Sequence, residues 1–256
     1  MKVAIQRIIR YVNIQFFKKK LPNQIVVYFH DINSKELEVI KDIILFFKNL
    51  EYQFVPISEI SRNFGSSKKQ FTFTFDDGFK NWGYLLPIFK NNDIVATFFL
   101  NSIFLTDEKL DIFMNNIALN EKSKIIDRQG IIDIINDSHE IGAHTHSHFK
   151  LSSLDFETFK NEIEINMKHL KNFDIEITSF AIPYGMSRYT NKKQIDYLLD
   201  RFENVCFGEA GMLFNQDLNN IQRYPWQIDI TFYENLVNLS TNTSIFNSLT
   251  KRSGLG

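Results

Sequence analysis

Phe71-Thr72-Phe73-Thr74-Phe75-Asp76-Asp77-Gly78 is the stretch on which the fold turns. Five residues alternate aromatic and β-branched side chains, the period-2 signature of a strand. Two adjacent carboxylates and a glycine follow at once. Gly78 allows a tight exit that keeps the backbone close to a bound group. Outward from this stretch, other segments of strand character precede or follow stretches of helical spacing. They are Ile25–Phe29, Val95–Leu100, Glu140–Ala143, Ile177–Ile182, Asn204–Phe207 and Ile221–Trp226. Lys35–Leu50 sets Leu37, Ile40, Ile44, Phe47 and Leu50 on one helical face, and Ser153–Phe173 does the same with Phe156, Phe159, Ile163, Met167 and Leu170. A further helix is expected over Asn191–Phe202, and Thr106–Ser123 reads as an inserted, partly helical excursion.

The rhythm is that of an α/β protein, and the polar residues fall where strands end. His30 and Asp31 follow the first strand, Asp76 and Asp77 the second, His144 the fourth, and Pro183 and Tyr184 the fifth. A parallel barrel gathers the C-terminal ends of its strands on one face. Seven candidate strands predict a distorted (β/α) barrel, seven-stranded rather than a complete eightfold one.

Composition sets the outer limits. The 256 residues carry 44% hydrophobic and 23% charged side chains with a net charge of −1, so no cationic footprint for nucleic acid is present. Cys206 is the single cysteine and forms no internal disulfide, and no apolar run reaches the roughly 18–20 residues of a membrane span. These readings predict a cytoplasmic protein. Residues 1–20 interleave Val3, Ile5, Ile8, Ile9, Val12, Phe16 and Phe17 with Lys2, Arg7, Arg10 and Lys18–Lys20. That is a basic amphipathic helix, which either lies on an anionic membrane surface or packs on a domain spanning residues 21–256.

Two motifs carry chemistry. At Asp76-Asp77, one carboxylate can hold a cation while its neighbour takes a proton from water, although Asp-Asp-Gly also occurs in ordinary turns. In His144-Thr145-His146-Ser147-His148, three of the six histidines fall within five positions. Imidazoles at i and i+4 share one face of a helical turn, which directs His146 elsewhere. Asp77, His144 and His148 then make the three-ligand set of a catalytic zinc-type site with an open position.

The run Thr74-Phe75-Asp76-Asp77-Gly78, then Ala96-Thr97-Phe98-Phe99, then Glu140 to His148, then Phe180-Ala181-Ile182-Pro183-Tyr184-Gly185 occur in the order seen in polysaccharide deacetylases of carbohydrate esterase family 4. The resemblance spans roughly residues 25 to 228. It implies a distorted barrel that removes an N-acetyl, or less often O-acetyl, group from a sugar. It further implies one divalent metal ion (Zn2+, with Co2+, Ni2+, Mn2+ or Fe2+ as alternatives) on Asp77, His144 and His148, with Asp76 as base. Tyr184 would offer its backbone N–H to the oxyanion, and Pro183 and Tyr184 would contact the substrate. Apart from the resemblance, Trp226 is an aromatic near a late strand end and is expected to stack on a sugar face.

Two departures from the family pattern stand out. Where many members carry Arg two residues before the motif Pro, this chain has Ala181. Arg223 is the replacement expected to orient Asp76, with an ordinary surface cation as the competing reading. No histidine follows His169, so the usual late catalytic His is missing. Tyr28-Phe29-His30-Asp31 is similar to an arrangement in biofilm poly-N-acetylglucosamine deacetylases, making His30 the expected general acid. The function expected is hydrolysis of an N-acetylated amino sugar during assembly of a surface polysaccharide or a lipid-linked glycan. A deformylase and a non-catalytic sugar-binding module are the alternatives.

Overall fold

The polypeptide runs through a closed ring of parallel strands in a computed structural model that describes residues 21–106, 108, 110–209 and 220–240. The expected amphipathic helix of residues 1–20 lies outside them. The strands are β1 (Gln24–Phe29), β2 (Gln53–Phe54), β3 (Gln70–Phe75), β4 (Thr97–Leu100), β5 (Glu140–Ala143), β6 (Ser179–Ala181), β7 (Asn204–Phe207), β8 (Asn220–Gln222) and β9 (Tyr224–Pro225). Their order is β8-β7-β6-β5-β4-β3-β1-β9, with the short β2 beside β3, and every pairing is parallel. β8 pairs with β7 while β9 pairs with β1. The expected last strand is therefore one segment, interrupted at Arg223, whose halves bond to opposite neighbours and close the barrel.

β3 explains the architecture. Phe71, Phe73 and Phe75 pack outward onto covering side chains, including Phe47 at 4.4 Å from Phe71, Phe89 at 5.4 Å from Phe73 and Trp82 at 6.1 Å from Phe75, measured between ring centroids. The alternate residues Thr72 and Thr74 are fully buried as well. Both faces are thus covered, as parallel sheets require. A second apolar cluster of Val26, Phe99, Ala181, Cys206 and Ile221, contributed by five different strands, fills the barrel interior.

The covering helices α1 (Ser34–Asn49), α2 (Ile57–Arg62), α3 (Leu86–Lys90), α4 (Asp111–Asn116), α5 (Arg128–Asn136), α6 (Phe156–Leu170) and α7 (Lys192–Leu199) join the strands. α1 begins at a capping box in which Asn33 accepts from the Glu36 amide and Glu36 accepts from the Asn33 amide. α4 lies within the excursion that the sequence left conformationally open. No helix of the described residues is long and apolar enough to cross a membrane.

Candidate active site

The parallel ladders carry the polar residues to one end of the barrel. The Asp76 amide donates to the Phe29 carbonyl at 3.0 Å and the His144 amide to the Leu100 carbonyl at 3.1 Å, so each motif begins as a continuation of its strand. The chain then turns sharply. Asp77 has φ 82°, Gly78 81°, Thr145 65°, His148 58° and Tyr184 60°. Left-handed conformations are costly for residues with a Cβ and cluster where surrounding structure enforces them. The i, i+4 histidines therefore do not sit on a helical turn, contrary to expectation. They flank a bend in which the Thr145 hydroxyl accepts from the His148 amide at 3.0 Å, while Asn101 donates to the His144 and Thr145 carbonyls. Spacing brings the imidazoles together through this loop, with ring centroids 4.9 Å apart.

Asp77, His144 and His148 converge. Asp77 Oδ1 lies 3.3 Å from His144 Nε2 and 3.1 Å from His148 Nε2, and each residue offers one atom within 4.8 Å of the others. All three are buried, yet Asp77 Oδ1 makes no hydrogen bond of proper geometry. A buried carboxylate oxygen without a partner, facing two imidazole nitrogens, is costly unless a cation sits among them. His144 Nδ1 lies 2.8 Å from the Ala181 carbonyl, which fixes the ring and leaves Nε2 for coordination. Burial pushes the His148 imidazole down to about 4, so it is a neutral ligand at ordinary pH. Burial raises the Asp77 carboxyl, but His148 and His144 outweigh it and hold it well below the usual range. The donor set fits a divalent metal of the zinc type.

Asp76 lies beside this group, 3% exposed, and Arg223 is 1% exposed. The guanidinium donates to both carboxylate oxygens, at 2.7 and 2.8 Å, and to the Thr74 hydroxyl at 3.2 Å. Burial raises the Asp76 carboxyl; Arg223, then His144, more than offset it and keep it ionised. Arg223 is thus no surface cation. It is wedged in the strand break, 4.9 Å over the Tyr28 ring and 5.1 Å over the Phe99 ring.

A cavity of about 440 Å³ opens over these groups, lined by Tyr28, His30, Phe79, Asn116, Tyr184 and Tyr189 among others. His30 is half exposed, its Nε2 4.0 Å from Asp77 Oδ2 and its carbonyl fixed by the Trp82 indole N–H at 2.8 Å. Asp31 does not orient His30; its carboxylate accepts from Asn81 and from the Ile32 amide. The Tyr184 amide has no hydrogen-bond partner among the described residues, while its phenol donates to the Asn116 carbonyl at 2.9 Å. Gly185 holds this turn in place, since a Cβ there would come within 2.6 Å of the Gly208 backbone.

Two expected substrate contacts do not line the cavity. Pro183 is buried in the turn, and Trp226 is buried against Phe232 and Tyr224, with ring centroids 5.2 and 6.3 Å away. Conversely, Asn116, Ile117 and Ala118 of the excursion form a wall that no motif announced. His146 points away, to Ser102 at 2.8 Å and Glu108 at 3.4 Å, and His139 lies at the other end of β5, accepting from the Ala96 amide.

A closed parallel barrel with a buried Asp-His-His group and an adjacent ionised Asp defines a class: metal-assisted hydrolases acting at strand ends. A family model described as polysaccharide deacetylase matches residues 65–198, just over half of the sequence. The chain belongs to the polysaccharide deacetylase family, a family of metal-dependent enzymes, and is a hydrolase of the carbohydrate N-deacetylase class. Its fold is similar to that of the Streptococcus pyogenes deacetylase PplD, with 16% identity, a TM-score of 0.66, and coverage of 84% of this chain and 97% of that one. A de-N-acetylase from Aggregatibacter actinomycetemcomitans gives 13% identity and a TM-score of 0.65 over 84% and 99% of the two chains. A Bacillus cereus polysaccharide deacetylase gives 15% and 0.65 over 84% and 68%. No curated protein matches the sequence.

Proposed function

We propose that this site hydrolyses the N-acetyl group of an amino sugar, using one divalent metal, most simply zinc, on Asp77, His144 and His148, during assembly of a surface polysaccharide or lipid-linked glycan. The observation that carries this reading is the buried, unpartnered Asp77 oxygen facing two imidazoles beside a carboxylate that Arg223 keeps ionised. A cation held there supplies polarisation of the acetyl carbonyl and acidification of water, the two difficulties of amide hydrolysis.

The chain's own groups do the rest. Asp76 accepts the proton of the attacking water, and the bidentate guanidinium fixes which way its oxygens point. The unpaired Tyr184 N–H faces the developing oxyanion, the kind of preorganised donor worth several kcal/mol. His30, on the open side of the cavity, delivers a proton to the leaving amine. An imidazole suits that task near neutral pH. The test is release of acetate from N-acetylated sugars by enzyme reconstituted with defined metals. Formate release from formamido sugars with none from acetamido sugars would replace this reading with deformylation, and binding without release would replace it with a sugar-binding module.

A further inference from the structure

Two cations stand against one wall of the cavity. Tyr189, which lines it, stands 6.0 Å from Tyr184 between ring centroids, and Tyr184 in turn is 4.9 Å from the His148 ring. Two cations converge on this pair of tyrosines from different segments. Lys150, two positions after His148, places its Nζ 4.5 Å from the Tyr189 centroid and 5.6 Å from that of Tyr184. Arg188 places its guanidinium 5.1 Å from the Tyr189 centroid and donates to the phenol at 3.3 Å. Neither forms an ion pair with any carboxylate of the described residues, although both are exposed. The carboxylate of Glu209 on the adjoining loop is committed to the Ser187 amide and hydroxyl, both at 2.6 Å.

Inside the cavity the charges are already matched. Asp76 is neutralised by Arg223, and Asp77 belongs to the cation site. Beside the Tyr184–Tyr189 wall the described charges are then Lys150 and Arg188 against Glu209, a positive excess, and such a field concentrates anionic ligands. The ring contacts also limit the freedom of both side chains, which lowers the ordering cost of binding.

Resting on the deacetylase reading, we propose that the substrate carries a phosphoryl-type anionic group, bound at the rim by Lys150 and Arg188 while the acetylated sugar lies against Tyr184 and Tyr189. An ammonium and a guanidinium are the side chains suited to phosphate. A sugar phosphate and a diphosphate-linked sugar share this chemistry.

The experiment measures affinity in metal-loaded Asp76→Asn protein, so that absent turnover does not obscure binding. The probes are the methyl glycoside, the 1-phosphate, the 6-phosphate and a nucleoside diphosphate ester of the same N-acetylhexosamine. The preferred phosphorylated form binds roughly tenfold more tightly than the methyl glycoside, the size expected for two exposed charge contacts. Raising salt from roughly 0.05 to 0.5 M narrows that gap. Adding Lys150→Gln with Arg188→Gln closes it, Lys150→Glu with Arg188→Glu reverses it, and Lys150→Arg with Arg188→Lys retains it. The order of the phosphorylated probes identifies the source of the group. Equal affinities for all four probes overturn the proposal, as does a gap that survives the double Gln change, which would mean phosphate binding to the metal. Acetate release from none of the probes by the Asp76 enzyme would instead overturn the deacetylase reading and leave the affinity gap to be judged on its own.

Discussion

Arg223→Met removes a fully buried guanidinium from a fully buried carboxylate and leaves a side chain of comparable reach. Asp76 then keeps its burial and loses both bidentate contacts, at 2.7 and 2.8 Å. Breaking a buried pair by removing one partner costs about 3–5 kcal/mol, because the remaining charge is uncompensated. For a protein of this size that is a Tm decrease of roughly 6–20 °C. The sign with pH follows. In the wild type the Asp76 pKa is depressed, so its stabilisation is present above the unfolded carboxylate value and is lost as pH falls through the folded one. Without Arg223, burial dominates and the folded pKa rises above the unfolded value, so the variant is penalised where Asp76 is ionised, and the deficit against wild type shrinks as pH falls through that raised value and on through the depressed one of the wild type. Turnover should fall as well, with the acid limb of kcat moving upward. Asp76→Asn with Arg223→Met should be less destabilised than the sum of the single changes, by roughly 1–3 kcal/mol. Denaturation and pH–rate profiles of the four proteins check this. Strict additivity, with an unmoved acid limb, would refute the coupling.

Asp77→Ala, His144→Ala and His148→Ala should each lower bound metal and abolish acetate release, whereas Asp76→Asn keeps its metal and loses roughly 10²-fold or more in rate; metal analysis beside turnover separates the two groups. His30→Ala should retain metal and lose roughly 10² to 10⁴ in kcat on an acetamide, with a much smaller loss on an activated acetyl ester whose leaving group needs no proton. Equal losses on the two substrates would remove His30 from the role of acid. Burial lowers the His139 imidazole to about 4, so wild-type stability should fall as pH drops from about 6.5 to 4, where the unfolded chain binds the proton first. His139→Gln should flatten that slope by up to about 3 kcal/mol, and an unchanged slope in acid titrations of stability would place the sensitivity elsewhere.

Strand ends were the legible part of this sequence, because alternation and apolar runs report burial directly. Phe71–Phe75 reads as a strand from spacing alone, and the ladder then fixes where Asp76 emerges. Conformation beyond the strand end was not legible. The His144–His148 spacing suggests a helical turn, but His144 is held in register by Leu100, and the chain then turns left-handed at Thr145 and again at His148. Trp226 shows the complementary limit: nearness to a late strand end says nothing of side-chain direction, and its ring faces Phe232. The wall of Asn116, Ile117 and Ala118 has no chemical signature. Its place depends on contacts such as the Asn116 amide on the Ser147 carbonyl, 31 positions away in sequence.

The departures from the family pattern share a location. Residues 65–198 match the family model, and His30 and Arg223 both fall outside that span. They sit on the two sides of one seam, where β1 pairs with β9 and the barrel closes. A guanidinium acts on Asp76 through charge and two hydrogen bonds, so what matters is the point it reaches, not the strand that supplies it. Ala181, where many members carry Arg, belongs to the interior cluster that also holds Phe99, and the Arg223 guanidinium lies 5.1 Å from that same Phe99 ring. Both positions therefore open onto the barrel interior beside Asp76. Arg223 stands two positions after Ile221, whose side chain belongs to that interior cluster, and its amide still donates to the Phe207 carbonyl at 2.9 Å, so the alternation of the closing strand itself turns the guanidinium inward onto Asp76.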